Sequence, residues 1–342
     1  MIVPLTAVDK YSDECSVTWR SGGMAVMNDA PPPLKVDDID HSDVLIAQRV
    51  NAYEGLGFWR RWNTPWTRTV YENDDDVFNI TTDNIEAYKA YKTGTEAREA
   101  VLRYCDTASL ITTTTTHLGD LHRELSPGVP VEVLPNYVNE FVLDLPRDPI
   151  EDRRLRVGWM GGASHVRDLD IAGKAVGRFI QRHPDWDMYV AGTDYRRSFH
   201  VPPERAFHVP WIHVTNEPKL FYRMIDYDIG ICPLFDTQFA RSKSPIKALE
   251  YSARGIPVIA SDVEPYRRFI KHGETGFLIK QGQEHDWVAK LHLLATDEKL
   301  RLKMGAAAKE EARKHTIERP ENWGKWVNAY KMLFPMGWNY RG

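Results

Sequence analysis

The fold class that this sequence predicts is α/β, with an irregular α/β first half and a second half built on a parallel sheet. Three observations carry it. From residue 155 onward, short apolar runs rich in β-branched residues alternate with segments of helical periodicity. That alternation builds a parallel sheet covered by helices on both faces. A stretch at 141–154, rich in Pro, Asp and Arg and poor in apolar residues, reads as a linker between two halves. The length of 342 residues is that of two domains or of one large α/β unit. The domains expected are 1–140, 155–319 and, beyond them, a C-terminal helix and tail at 320–342.

In the first half, Met1–Ala7 is a candidate buried strand, and a helix is expected near Val17–Met27. Ala30-Pro31-Pro32-Pro33 forbids regular structure and marks a loop. Val44–Ala47 follows the acidic stretch Asp37–Asp43 as a short apolar strand. Tyr53–Trp66, rich in Gly, Arg and Trp, reads as a loop or a broken helix. Thr69–Tyr71 is a strand that runs into Asp74-Asp75-Asp76. Asn84–Tyr104 has helical periodicity, and Ala108–Thr113 is β-branched and strand-like. A short helix at His117–Leu125 and a strand at Val131–Leu134 complete this half, stopping at Pro135-Asn136.

In the second half the expected strands are Leu155–Trp159, Asp187–Ala191, Ala206–Val209, Ile229–Pro233, Pro257–Ala260 and Gly276–Ile279. The helices between and after them are Leu169–His183, Pro218–Ile225, a helix opening at Ser242–Pro245, and others at Tyr266–Lys271, Asp286–Ala295 and Glu298–His315. Ligands of such sheets sit at the carboxyl ends of the strands. In Pro320–Phe334, Trp323, Trp326, Val327, Tyr330 and Leu333 recur at spacings of three and four, one apolar helical face. That helix either simply closes the fold or crosses back to the first domain.

Composition narrows the function classes. Apolar content of 42% and charged content of 27% are those of an ordinary globular protein. No apolar run reaches the ~18 residues of a membrane span, and the N-terminus does not read as a signal peptide. Cys15, Cys105 and Cys232 lie far apart without metal or redox spacing, which fits free thiols in a reducing, cytoplasmic setting. A net charge of −4 argues against broad charge-driven nucleic-acid binding.

The most informative stretch is Ser242–Ile259, SKSPIKALEYSARGIPVI. A basic residue and Ser-Pro open a helix, and helix N-termini attract phosphate through unsatisfied N–H groups and partial positive charge. Pro245 suits the helix start because its missing N–H needs no partner. Together with Gly273–Ile279 this stretch resembles the donor-binding domain of GT-B glycosyltransferases of the retaining, glycogen-synthase-like type (family four, glycosyl transferases group 1). Val157-Gly158-Trp159-Met160-Gly161-Gly162, with His165 and Arg167-Asp168, is similar to that domain's first strand and glycine loop. Leu134-Pro135-Asn136 matches the hand-over between the two domains. The likeness covers about 155–315 well and 1–130 only loosely, as a shortened, aromatic-rich acceptor domain.

The resemblance implies two Rossmann-like domains facing each other across a cleft, a nucleoside-diphosphate sugar (UDP- or GDP-linked) as the only cofactor-like ligand, and no metal. The family's signature is two glutamates with seven residues between them. Glu250 fits the second, which hydrogen-bonds the ribose, whereas the first position is occupied by Ser242. Donor contacts are therefore expected from Gly161, Gly162, His165, Arg167, Lys243, Ser244, Ile246, Lys247 and Glu250. Lys247 is equally read as a solvent-facing helix charge, and Asp168 as a helix cap. The loop around Trp211-Ile212 is the place for the nucleobase.

On the acceptor side, Asp74, Asp75 and Asp76 could bind sugar hydroxyls or a cation, or form a solvated acidic loop, and Asp74, Asp76 and His41 are the catalytic candidates. Trp59, Trp62 and Trp66 form either a stacking surface or a hydrophobic loop. The function expected is sugar transfer to a protein, a glycan or a lipid-linked sugar, with a modified nucleic-acid base as the weakest acceptor. The alternatives are a sugar-nucleotide epimerase on the same fold and a non-catalytic glycan- or partner-binding relative.

Overall fold

The computed structural model describes residues 2–5, 44–53, 55–64, 68–82, 84–147, 153–162, 165–211 and 218–334. The expectations at Val17–Met27, Ala30–Pro33, Asp37–Asp43, His41, Trp66 and Ile212 lie outside these residues. The chain divides into two compact units. The first is Met1–Asn136 with Ser242–Ser244 and Pro320–Gly342, and the second is Tyr137–Arg241 with Pro245–Arg319.

The first unit holds a parallel sheet in the order β1-β2-β3-β4-β5, with β1 Ile2–Leu5, β2 Val44–Gln48, β3 Arg68–Asn73, β4 Leu110–Thr113 and β5 Val131–Val133. Leu45 and Ala47, Tyr71, and Ile111 present the alternate side chains of β2, β3 and β4 to one buried cluster with Trp59, Val101 and Tyr104. Trp59 sits on α1, Gly55–Trp62. This segment, read from its glycines as a loop or broken helix, is helical because Leu56 and Trp59 share a buried face. The Trp59 indole donates to Thr107 Oγ1 at 3.1 Å, and the ring has no exposed surface. It is therefore a core residue and not part of a stacking surface.

The continuous helix expected over Asn84–Tyr104 is two helices, α2 Ile85–Tyr91 and α3 Glu96–Thr107. The first ends at Lys92, whose backbone turns extended, Gly94 turns the connection at φ +85°, and Thr95 opens the second. α4, Thr116–Leu125, is capped by Thr115, whose hydroxyl accepts from the Leu118 N–H.

The second unit's sheet is also parallel, in the order β11-β10-β9-β6-β7-β8. Its strands are β6 Leu155–Gly161, β7 Trp186–Gly192, β8 Ala206–Val209, β9 Ile229–Cys232, β10 Val258–Ser261 and β11 Gly276–Ile279. One face (Val157, Trp159, Met188, Val190, Ile231, Ile259) packs in a buried cluster with α5 Val166–Arg182 and α10 Glu284–Thr296. The other face (Met160, Ala191, Cys232, Val258, Ala260) packs with α6 Pro218–Met224, α8 Ile246–Ala253 and α9 Glu264–Phe269. The short helix α7, Gln238–Arg241, lies before α8. On this second face Gly158 and Gly230 give way to aromatic rings. A Cβ would stand 1.9 Å from Tyr227 Cγ at Gly158, and 2.4 Å from Tyr251 Cδ2 at Gly230. Tyr251 Oη in turn accepts the Met160 N–H at 2.8 Å, which pins α8 against β6.

The stretch expected to be a bare linker is partly a packed piece of the second unit. Glu140–Asp144 forms a 3₁₀ turn with Val142 and Leu143 buried. Arg254 holds the next residues from the end of α8 by donating to the carbonyls of Leu145 and Pro146. Arg147 and Arg153 bind the buried carboxylates of Asp226 and Asp228. Low apolar content made this stretch look unanchored, but its anchors are guanidinium groups.

Two helices, α11 Glu298–Arg313 and α12 Pro320–Lys331, close the chain. On α12, Trp326 and Tyr330 are buried as the periodicity requires, whereas Trp323 is half exposed. The α12 segment groups with the first unit. Among the described residues no helix is long and apolar enough to cross a membrane.

Candidate functional site

The carboxyl end of β6 positions the second unit's candidate residues. β6 ends at Gly161, and His165 caps α5. Asp168, expected as the helix cap, lies instead in the first turn. Its Oδ2 is 2.8 Å from His165 Nδ1 and its Oδ1 accepts the Phe235 N–H at 2.8 Å. It thus ties the loop after β6 to the loop after β9, and orients the His165 ring. The neighbouring Arg167 lays its guanidinium over the Phe235 ring at 3.9 Å, a stacking arrangement suited to a planar cation.

The two loop glycines differ in role. A Cβ at Gly161 would meet the Trp159 ring at 2.6 Å, so this glycine is needed for internal packing. At Gly162 no atom of the described residues lies within 4 Å of such a Cβ, so those residues leave room for an incoming group. Trp159 is fully buried, stacks edgewise on His165, and has an indole N–H without a hydrogen-bond partner. Lys247, from the first turn of α8, holds its ammonium 4.8 Å from the centre of that ring. Lys247 is thus directed across Trp159 and is not a plain solvent-facing charge. Ile246, whose amide was the expected contact, is the first residue of α8, and Pro245 occupies the cap position.

One turn on, Glu250 is nearly buried. Burial pushes its carboxyl up to about 8, and the Lys247 ammonium opposes that rise. The nearby phenols of Tyr222 and Tyr227 are also pushed up, Tyr222 by burial and then Glu250, Tyr227 by burial, then Asp226 and then Glu250. A nearly buried carboxyl held near neutrality, with a cation one turn away, can accept hydrogen bonds from vicinal hydroxyls. It gains stability when it does so.

The remaining candidates lie in the first unit. Asp74 Oδ1 is 3.3 Å from Arg49 Nε, and Asp75 is bridged by Arg49 at 3.0 Å and by Lys243 at 3.5 Å. Burial raises the carboxyl of Asp74, and Arg49 lowers it. Arg49 adopts φ +54°, the left-handed region, just past β2. Asp76 is fully buried. It accepts the backbone N–H of Phe78 and of Asn79, the Asn79 side-chain amide at 2.9 Å, and the Ser242 hydroxyl at 3.2 Å. A carboxylate so enclosed clasps a loop and does not stand in a solvated acidic run. Ser242, conspicuous in sequence as the missing glutamate, is the buried partner of that clasp, and its carbonyl accepts the Thr115 hydroxyl at 2.9 Å. Ser244 Oγ accepts from Asn136 Nδ2 at 2.9 Å, and Lys243 is half covered and paired with Asp75. Both are anchored inside the first unit, which no sequence pattern announced.

Trp159 and Phe235 are the site residues that sequence reading missed as participants. The only signal was a Gly-Trp-Met-Gly strand end, where large and small residues alternate. Phe235 carries no local signal, because its role depends on a loop reaching it from another strand.

Residues 147–311 match the model of the family described as glycosyl transferases group 1. The D-inositol 3-phosphate glycosyltransferase of Corynebacterium glutamicum (strain R) is 36% identical over 167 residues, which cover 46% of this chain and 39% of that protein. The chain thus spans about two fifths of the length of that curated relative. Among solved structures, TarM superposes with a TM-score of 0.62 at 13% identity, over 86% of this chain and 56% of that one. The pneumococcal O-GlcNAc transferase GtfA, in complex with UDP and GlcNAc, superposes with a TM-score of 0.59 at 13% identity, over 87% and 59% of the two chains. At such identity the structural likeness is one of fold.

Proposed function

Residues 147–311 belong to the glycosyl transferases group 1 family on a chain of the GT-B fold, and from that premise we propose that the protein transfers a sugar from a nucleoside-diphosphate sugar to an acceptor. The observation that carries this reading is Glu250, nearly buried, raised to about 8 and set one helical turn from Lys247. Its vacant acceptor capacity suits the paired hydroxyls of a ribose. Lys247 over Trp159, Arg167 over Phe235 and the open backbone at Gly162 supply fixed cations and N–H groups for a diphosphate. Those groups favour departure of the nucleoside diphosphate as the glycosidic bond breaks.

Reaction without a metal and with retention of anomeric configuration follows from the family resemblance. UDP is the first nucleotide to test, since a structure of similar fold holds it. The acceptor is a protein side chain, a glycan or a lipid-linked sugar.

Calorimetric titration of the protein with UDP- and GDP-sugars is the primary test, followed by assay of nucleoside-diphosphate release on addition of acceptors. Binding of one donor, abolished in Glu250→Ala, is the expected result. A protein that binds no nucleotide-sugar would end this reading. The anomeric proton coupling of the product decides retention.

A further inference from the structure

The second unit carries another charged constellation, remote from the strand ends that hold Gly161 and His165. α5 begins beside them and runs for 17 residues, so its last turn lies about 25 Å away along the helix axis. There α5 packs against α10 around a cavity of ≈ 520 Å³. Arg178, Arg182, His183, His285 and His292 line it, and among the described residues no acidic one does. Its remaining wall is apolar, formed by Phe179, Val288 and Ala289.

Two of the nearby acids are already engaged, and a third, Asp185, is exposed beside His183 and outside the lining. Glu284 pairs with Arg178 at 2.8 Å, and Asp286 with His285 at 3.2 Å. Among the described residues no ion pair holds Arg182. The His183 ring stacks on Phe179 at 4.5 Å between centroids and shares a hydrogen bond with His292, Nε2 to Nδ1 at 3.0 Å. In a neutral pair one ring donates to the other, and the accepting ring keeps its second nitrogen as an N–H donor. The cavity therefore offers the Arg182 guanidinium fork and an imidazole N–H, while the Arg178 fork is shared with Glu284.

We propose that this cavity binds a phosphomonoester. A guanidinium fork matches phosphate oxygens geometrically, and three terminal oxygens use more of these donors than a carboxylate could. The volume exceeds the needs of a bare phosphate and falls in the range of small-ligand pockets. The apolar wall takes the carbon portion of the ester. The site is independent of the nucleotide site proposed above and does not require it.

The test follows the histidine ring signals of the full chain by NMR during titration with inorganic phosphate and with glycerol 3-phosphate, with and without saturating UDP. Signals of His183 and His292 are assigned from His183→Gln and His292→Gln. Saturable shifts of both rings are expected in the millimolar range, about 1 mM, tighter for glycerol 3-phosphate and unchanged by UDP. Arg182→Glu, a surface change, should weaken binding at least tenfold, while Arg182→Lys retains most of it. The proposal is overturned if the shifts grow linearly without saturation, if chloride at equal ionic strength reproduces them, if UDP abolishes them, or if Arg182→Glu binds as well as the parent.

Discussion

Replacing Glu250 by glutamine should make the protein more stable and less able to bind its donor. Glu250 is nearly buried and titrates near 8, against 4.5 for a free glutamic acid, because burial penalises its charge more than Lys247 relieves it. Between those two values the folded state holds a proton that the unfolded chain releases, so stability falls as pH rises from about 4.5 to about 8 and levels off above. The full difference corresponds to roughly 5 kcal/mol as an upper bound. Relaxation and water access bring the measurable part to about 1–2 kcal/mol.

Glutamine keeps the shape and removes the charge. Urea unfolding of Glu250→Gln and the parent at several pH values should show equal stability near pH 5. A gain for the variant should grow up to about pH 8 and stay level beyond. Calorimetry at pH 9, where the parent carboxyl is ionised, should show nucleotide-sugar affinity reduced at least tenfold, because glutamine replaces an anionic acceptor by a neutral amide. A variant that loses stability at pH 9, or whose stability difference does not change with pH, would refute the burial argument. Unchanged donor affinity would refute the ribose role.

Three further outcomes follow from particular contacts. Lys247→Ala should leave stability within about 1 kcal/mol while raising the donor dissociation constant about tenfold, measured by calorimetry; an unchanged constant would remove Lys247 from the phosphate site. Asp228→Ala, which strips the buried partner of Arg147, Arg153 and the Arg156 N–H, should cost about 3–5 kcal/mol in urea unfolding, and a loss below 1 kcal/mol would show that the cluster is solvated. Gly158→Ala drives a methyl group into the Tyr227 ring and should lower the thermal midpoint by several degrees, whereas Gly162→Ala, facing open space, should leave the midpoint unchanged and affect only donor binding.

The sequence by itself determined the alternation of strand and helix after residue 155, because a strand buried on both faces must be a short apolar run and its crossover helices must be amphipathic. It also located Glu250 and Lys247 on one helix, since their spacing is local. Only the tertiary structure decided what those residues experience. The raised carboxyl of Glu250 comes from its burial in the folded unit, and the setting of Lys247 from Trp159, which lies 88 positions earlier in the chain.

The acidic run at 74–76 shows the same division. As a string it was three equivalent acids, but folding made Asp74 an ion-pair partner of Arg49, Asp75 a bridge to Lys243 and Asp76 an enclosed loop clasp. Burial and long-range partners set the charge, access and reactivity of a polar side chain. Neither is encoded by its neighbours in the chain.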